Sequence, residues 1–164
     1  MDELGSRAVF EAIVAHLDAL GLSYRHVHHA PTRTSEESAA ARGEPIAIGG
    51  KALVFKAGDE FHLLVLSAAR RTTGRGLREA FGVRKLRFAS PEELHELTGV
   101  VPGCVPPFGE PILPLPLFVD RSVLANDRIA FNAGLLTESI IMSTADWQRA
   151  VTIEQIVDAS EEET

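Results

Sequence analysis

The chain has 164 residues, 45% of them hydrophobic and 24% charged, the balance of an ordinary globular protein long enough to bury its own core. No apolar run approaches the ~20 residues that span a bilayer, the N-terminus lacks the basic start of a signal peptide, and a lone cysteine, Cys104, excludes an internal disulfide framework. The net charge of −7 argues against a uniformly nucleic-acid-binding surface, and the expectation is a cytoplasmic protein with no membrane contact.

Ala8, Val9, Ala12, Ile13, Leu17 and Leu20 recur at helical spacing before Gly21, which predicts a helix over 6–20. "SYRHVHHAP" alternates and stops at Pro31, the pattern of a strand. "TSEESAAARG" offers Thr34 or Ser35 as N-cap and Gly43 as C-cap of a short helix. Two strands follow over 51–56 and 60–67, joined by a hairpin turn around Gly58 and Asp59. "GRGLREAFG" reads as a short helix and "VRKLRFA" as a strand. "SPEELHELTG" is a helix with Ser90 as N-cap, Pro91 at its first position and two glutamates at its positive end. "PLPLFVD", "RIAFNAG" and "ESIIMS" are apolar strands, and "TADWQRAV" is a final helix capped by Ser143 or Thr144. The acidic tail over 157–164 is expected to fray. Strands and short helices alternate without a steady βαβ rhythm. The expected class is therefore α/β of the α+β kind: one domain over 1–164, core about 20–152, with a mixed, curled sheet and helices outside.

Charge is unevenly spread. Residues 70–87 hold seven basic side chains (Arg70, Arg71, Arg75, Arg78, Arg84, Lys85 and Arg87) against the single acid Glu79. Such a stripe suits phosphates, although most such runs are simply solvated faces. Arg70, Arg71, Arg75 and Arg78 are the candidates for contact with a nucleic acid.

Several motifs suggest chemistry. "GEPIAIGGKAL" resembles a phosphate-binding loop only superficially. Pro45 stands where the first glycine belongs, Ala52 replaces the hydroxyl residue that would meet magnesium, and a strand follows instead of a helix. Period two puts Lys51 on the face of Leu53 and Phe55, where its amine either reaches into a cleft or snorkels over apolar surface. His26 and His28 share a strand face, but a metal site wants three or four ligands and the sequence offers no further donor at a suggestive offset. Cys104 is either a nucleophile or a small buried hydrophobe.

The stretch "GVVPGCVPPFG", 99–109, packs three glycines and three prolines into eleven residues. Gly103 permits unusual dihedrals and Pro106 and Pro107 fix theirs. A stiff loop can offer backbone polar groups to a ligand with little ordering cost, the amides of Cys104 and Val105 among them, and its carbonyls have few local partners.

Lys51 in "GGKALVF", this loop, and the later "FNAGLLTESIIMSTADW" follow one another in an order that resembles the aminoacyl-tRNA deacylases related to the inserted editing domain of prolyl-tRNA synthetase, the YbaK/ProX-like group. The resemblance spans about 20–152. It implies a small α/β fold with a mixed sheet and hydrolysis of the ester of mischarged tRNA, tRNA for proline among the candidates, with no cofactor or metal. An aminoacyl-tRNA synthetase is a further candidate partner. The family's lysine falls on Lys51. Its G-x-x-x-P loop falls on "GCVPP", hence on Gly103, Cys104, Val105, Pro106 and Pro107 as the catalytic set. Its turn before the penultimate strand falls on Asn132, Ala133 and Gly134. Some relatives carry a histidine or serine at or near Asn132, so the amino acid accepted stays open. His26, Leu53 and Phe108 are the other candidate pocket walls. Two rivals remain: a binding module for aminoacyl-tRNA or nucleotide without turnover, and a thiol enzyme using Cys104.

Overall fold

The computed structural model describes residues 3–163. Among them are six α-helices and ten strands. The first helix, α1 (Arg7–Ala19), starts where the Ser6 hydroxyl accepts the Val9 amide at 3.2 Å, and it buries Phe10, Ile13 and Leu17. After β1 (Arg25–His28) comes α2 (Ser35–Arg42). The Thr34 hydroxyl accepts from the Glu37 amide, the Glu37 carboxylate receives the Thr34 amide, and Gly43 ends the helix at φ +69°. The same reciprocal cap, built by Ser90 and Glu93, opens α4 (Pro91–Thr98). The alternative caps Ser35 and Thr144 lie one residue inside their helices; Thr34 and Ser143 are the caps used.

β2 (Gly50–Ala57) and β3 (Glu60–Ser67) form the expected hairpin, with Lys51 opposite Leu66. They lie inside a five-stranded mixed sheet that also takes β5 (Leu86–Phe88), β6 (Leu117–Asp120) and β9 (Ile153–Val157), in the order β5-β2-β3-β6-β9. β3, β6 and β9 run parallel. A second, antiparallel sheet sets β1 beside β8 (Glu138–Ser143), and β8 beside β7 (Arg128–Asn132). A parallel bridge between Gly49 and Ala130 joins the two sheets without closing a barrel. Alternation along β2 divides the core. Val54 and its neighbour Ala52 pack into the larger cluster with Phe10, Leu63, Phe131 and Trp147. Leu53 and Phe55 face the smaller one with Leu64, Leu77 and Phe118. The helices α3 (Gly74–Phe81), α5 (Arg121–Leu124) and α6 (Thr144–Ala150) complete the outer layer.

The chain's end departs from expectation. β9 follows α6 directly, and β10 (Ser160–Glu162) pairs antiparallel with β4 (Arg70–Thr72) instead of fraying. The pairing is electrostatic as well as backbone-driven. Arg71 meets Glu161 at 2.8 Å, and the Arg70 guanidinium donates to the hydroxyl and carbonyl of Ser160. Buried Asp120 anchors the return by accepting the Ala159 amide at 2.7 Å and the Ser160 hydroxyl at 2.8 Å. Burial alone would raise the Asp120 pKa, but hydrogen bonds from Ser122, Ala159 and Ser160 outweigh it and lower the value. Short polar strands of this kind carry no hydrophobic alternation, so they escape a pattern search.

β1 and β8 share a polar knot. The buried carboxylate of Glu138 bonds His26 Nε2 at 2.8 Å, His28 Nδ1 at 2.7 Å and the Thr137 hydroxyl at 2.6 Å. Burial pushes the Glu138 pKa up, and the three donors more than reverse it. His26 is thus engaged within the fold, its ring also tilted against Phe10 with centroids 5.2 Å apart.

Removing residues 159–164 is expected to destabilise the protein by about 1–3 kcal/mol, because Asp120 is left buried without two of its donors. A denaturant midpoint equal to that of the full chain would show that β10 contributes nothing. The lowered carboxyl of Glu138 stabilises the fold at pH values above the ordinary carboxylate range, and this contribution is lost as pH falls through and below it. Glu138→Gln should therefore be less stable than the parent by about 1–3 kcal/mol at neutral pH. Urea titrations across pH should show the gap closing in acid, and a gap that is constant or widens toward low pH would contradict this account.

Candidate functional site

The 99–109 loop leaves α4 through Gly99 at φ +78° and turns again at Gly103, φ +97°, a dihedral that L side chains rarely adopt. Its carbonyls do not lack partners, as local sequence suggested. Val101 O accepts the Cys104 amide at 3.2 Å, Gly103 O the Asn132 side-chain amide at 2.9 Å, and Cys104 O the Gly134 amide at 3.1 Å. Pro106 O accepts the Phe108 amide at 2.9 Å and Pro107 O the Trp147 indole at 3.0 Å. Most of these donors come from β7, the turn after it and α6, far along the chain, so no local reading finds them.

Peptide geometry converts those bonds into a direction. In a trans peptide the C=O of one residue and the N–H of the next point oppositely. The Cys104 carbonyl is held inward by Gly134, so the Val105 N–H faces outward. Neither the Val105 nor the Gly103 amide has an acceptor among the described residues. The Cys104 amide, expected to serve a ligand, is instead spent on Val101.

Across from the loop lies the start of β2. Gly49 and Gly50 sit in tight quarters there: a Cβ on Gly49 would lie 2.9 Å from Ala68 Cβ, and one on Gly50 would lie 2.8 Å from Ile129 Cδ1, the movable end of that side chain. Their role is close packing against β3 and β7. Between loop, β2 and α2 is a cavity of about 180 Å³, lined among others by Ser38, Arg42, Lys51, Gly103, Val105 and Asn132. The Lys51 ammonium, with three donors to offer, gives one to the Arg70 carbonyl at 2.9 Å.

The cavity floor is a buried polar network. Arg42, only 8% exposed, donates through Nε to Ser139 Oγ at 2.9 Å and through Nη2 to Asn132 Oδ1 at 3.1 Å. Ser139 Oγ donates to Asn132 Oδ1 at 3.0 Å, and Thr32 and Ser38 share a 2.8 Å hydroxyl contact beside it. Desolvation lowers the Arg42 pKa to about 10, still cationic at neutral pH.

Of the residues singled out from sequence, Lys51, Leu53, Gly103, Val105 and Asn132 line this cavity. Cys104 and Phe108 are buried behind the loop, the thiol directed at the Val101 carbonyl at 3.3 Å and the ring packed on Phe131. Burial removes Cys104 from consideration as a nucleophile. Pro106 and Pro107 are buried and shape the loop. Ala133 and Gly134 brace it from behind, and Leu4 to Ser6 brace them in turn: the Ser6 amide donates to Gly134 O, and Leu4 O accepts the Leu136 amide, both at 2.8 Å. Gly5 fits only because it lacks a Cβ, which would lie 2.7 Å from Cys104 Sγ. His26 is engaged with Glu138, away from the cavity. Arg42 and Ser38 were missed. An arginine ending a helix rich in alanine reads as solvated, and only β7 and β8 lying beneath α2 make it a site residue.

The basic stripe is largely answered by acids or backbone. Arg71 pairs with Glu161, Arg75 with Glu79 and Arg87 with Glu93, while Arg70 holds Ser160. Arg78, Arg84 and Lys85 form no ion pair among the described residues. No helix here is long and apolar enough to cross a membrane.

Comparison with known proteins agrees with this geometry. Residues 29–150 match the Aminoacyl-tRNA editing domain family. The chain is 37% identical over 158 residues to the Multifunctional Ser/Thr-tRNA deacylase ProXp-y of Escherichia coli (strain K12), covering 91% of this chain and 92% of that protein. It is 24% identical over 146 residues to the Prolyl-tRNA editing protein ProX of Acetoanaerobium sticklandii, covering 86% and 89%. A crystal structure described as a candidate trans-editing enzyme for prolyl-tRNA synthetase superimposes with a TM-score of 0.81 at 26% identity, over 95% of this chain and 99% of that one. The chain therefore belongs to the aminoacyl-tRNA editing domain family.

Proposed function

We propose that the cavity between β2 and the 99–109 loop is where this trans-editing aminoacyl-tRNA deacylase holds the ester of a mischarged tRNA, and that the acyl group is seryl or threonyl. The observation that carries the reading is the outward Val105 amide, without an acceptor among the described residues, on a cavity that Lys51 also lines. Water attacks the ester carbonyl carbon. Negative charge develops on the carbonyl oxygen, and the bond to the ribose oxygen then breaks, with that oxygen taking up a proton. A preorganised amide at the developing oxyanion contributes roughly 3–4 kcal/mol to such a step in other enzymes. Gly103 offers a second amide. Lys51 keeps donors beyond its Arg70 bond for a phosphate or carbonyl of the tRNA terminus.

A space of about 180 Å³ is small beside the ~300 Å³ and more of pockets that enclose whole ligands. It suits an aminoacyl end, with the nucleotide outside. Its lining sets the Thr34, Ser35 and Ser38 hydroxyls and the Arg42 guanidinium beside apolar Ala39, Ile46, Ala52 and Leu53, which suits a short side chain bearing a hydroxyl, in keeping with the deacylase relative named for serine and threonine. A site that hydrogen-bonds a hydroxyl discriminates strongly against its absence. Arg70, Arg78, Arg84 and Lys85, the cations of the basic stripe that meet no acid among the described residues, are offered to the acceptor stem, and the reaction belongs in the cytoplasm, where charged tRNA is used.

The test is a panel of mischarged tRNAs, including tRNA for proline carrying serine, threonine, alanine or cysteine. Seryl and threonyl esters should be hydrolysed fastest, and Lys51→Ala should slow them at least tenfold. Turnover of none of the panel, with stable binding of the charged tRNA, would replace the deacylase by a binding module.

A further inference from the structure

Arg42 is a buried cation that forms no ion pair among the described residues. Burying a charge without a counter-charge is costly, so its placement calls for a reason. Its hydrogen bonds supply one. A guanidinium can only donate, so the Asn132 atom facing Arg42 Nη2 must be the amide oxygen. The Ser139 hydroxyl fills the second lone pair of that oxygen. The NH2 of Asn132 is thereby forced to the other side, where it donates to the Gly103 carbonyl at 2.9 Å and to Thr32 Oγ1 at 3.4 Å. All four hydrogen-bonding positions of one side-chain amide are used, and the orientation has no alternative while Arg42 is present.

We propose that Arg42 is a positioning residue for deacylation: by fixing which way the Asn132 amide faces, it locks the peptide between Gly103 and Cys104 and so aims the loop amides at the ester. Asn132 grips the first of two successive peptide units and Gly134, two residues on, grips the second through the Cys104 carbonyl. Arg42 acts through Asn132 and need not touch the reacting atoms. This rests on the deacylase reading given above, but its structural half can be measured in the protein without substrate.

Asn132→Asp separates positioning from simple packing. The aspartate keeps the volume and gains an ion pair with Arg42, so thermal stability should hold or rise. It loses the donor to Gly103, leaving two acceptor oxygens facing each other. Single-turnover deacylation of tRNA for proline carrying serine should fall at least tenfold, with the half-saturating concentration changed less than threefold. Amide hydrogen exchange at Cys104 and Gly134, whose N–H groups donate to the Val101 and Cys104 carbonyls, read by NMR, should quicken at least tenfold. Arg42→Lys, which has one donor centre in place of the fork, should reproduce both effects. Asn132→Asp with parental turnover, a loss confined to the half-saturating concentration, or unaltered exchange at both amides would each overturn the proposal. If the parent itself hydrolyses no ester while the exchange effect is present, the positioning stands and the deacylase reading is what fails.

Discussion

The site depends on one constraint: the carbonyls of the 99–109 loop are turned into the protein. Trp147, Gly134 and Asn132 each draw one inward. Because peptide units are planar, pulling a carbonyl in pushes the following amide out. The loop thus presents a donor to the cavity without any side chain to supply it. Glycine at 103 permits the turn, and prolines at 106 and 107 remove donors that would otherwise compete. The core beneath is what holds the direction, and Trp147, wholly buried, belongs to both.

Much of this was legible in the sequence because it is local. The Ser90 cap of α4, the start of α2 to within one residue, the β2–β3 hairpin and the face assignment along β2 follow from residue type and spacing, and the structure has them. The loop declared itself by composition, and Lys51 by its place at the head of a strand. Long-range pairing was not legible. The partners of the loop carbonyls lie thirty to forty residues away. Arg42 became a site residue only when the 3-10 turn at Ile46–Ile48 and the Gly49 bridge brought α2 over β7. β4, β9 and β10 were overlooked because each is short and carries charged or polar side chains where alternation would be sought.

The same limit governed the reading of charge. Counted along the sequence, residues 70–87 are a basic stripe and 157–164 an acidic tail. Folded, β10 lies against β4 and the two neutralise one another at Arg71 and Glu161. Exposed pairs of this kind stabilise little, but they change what an approaching polyanion meets. Of the seven basic residues, Arg71, Arg75 and Arg87 meet an acid, whereas Arg70, Arg78, Arg84 and Lys85 form no ion pair among the described residues.

Leu4 to Ser6 hold the turn that follows β7, and that turn holds the loop. The three layers are linked by backbone bonds of 2.8–3.1 Å, and Gly5 leaves no slack between the first layer and the sulfur behind the third. Mechanical load applied ahead of α1 is therefore carried to the loop through three backbone bonds, and load at β10 passes to β4, whose Arg70 carbonyl holds the Lys51 ammonium on the facing wall. An affinity handle or fusion therefore pulls on one wall of the cavity from the front of the chain and on the other from the rear.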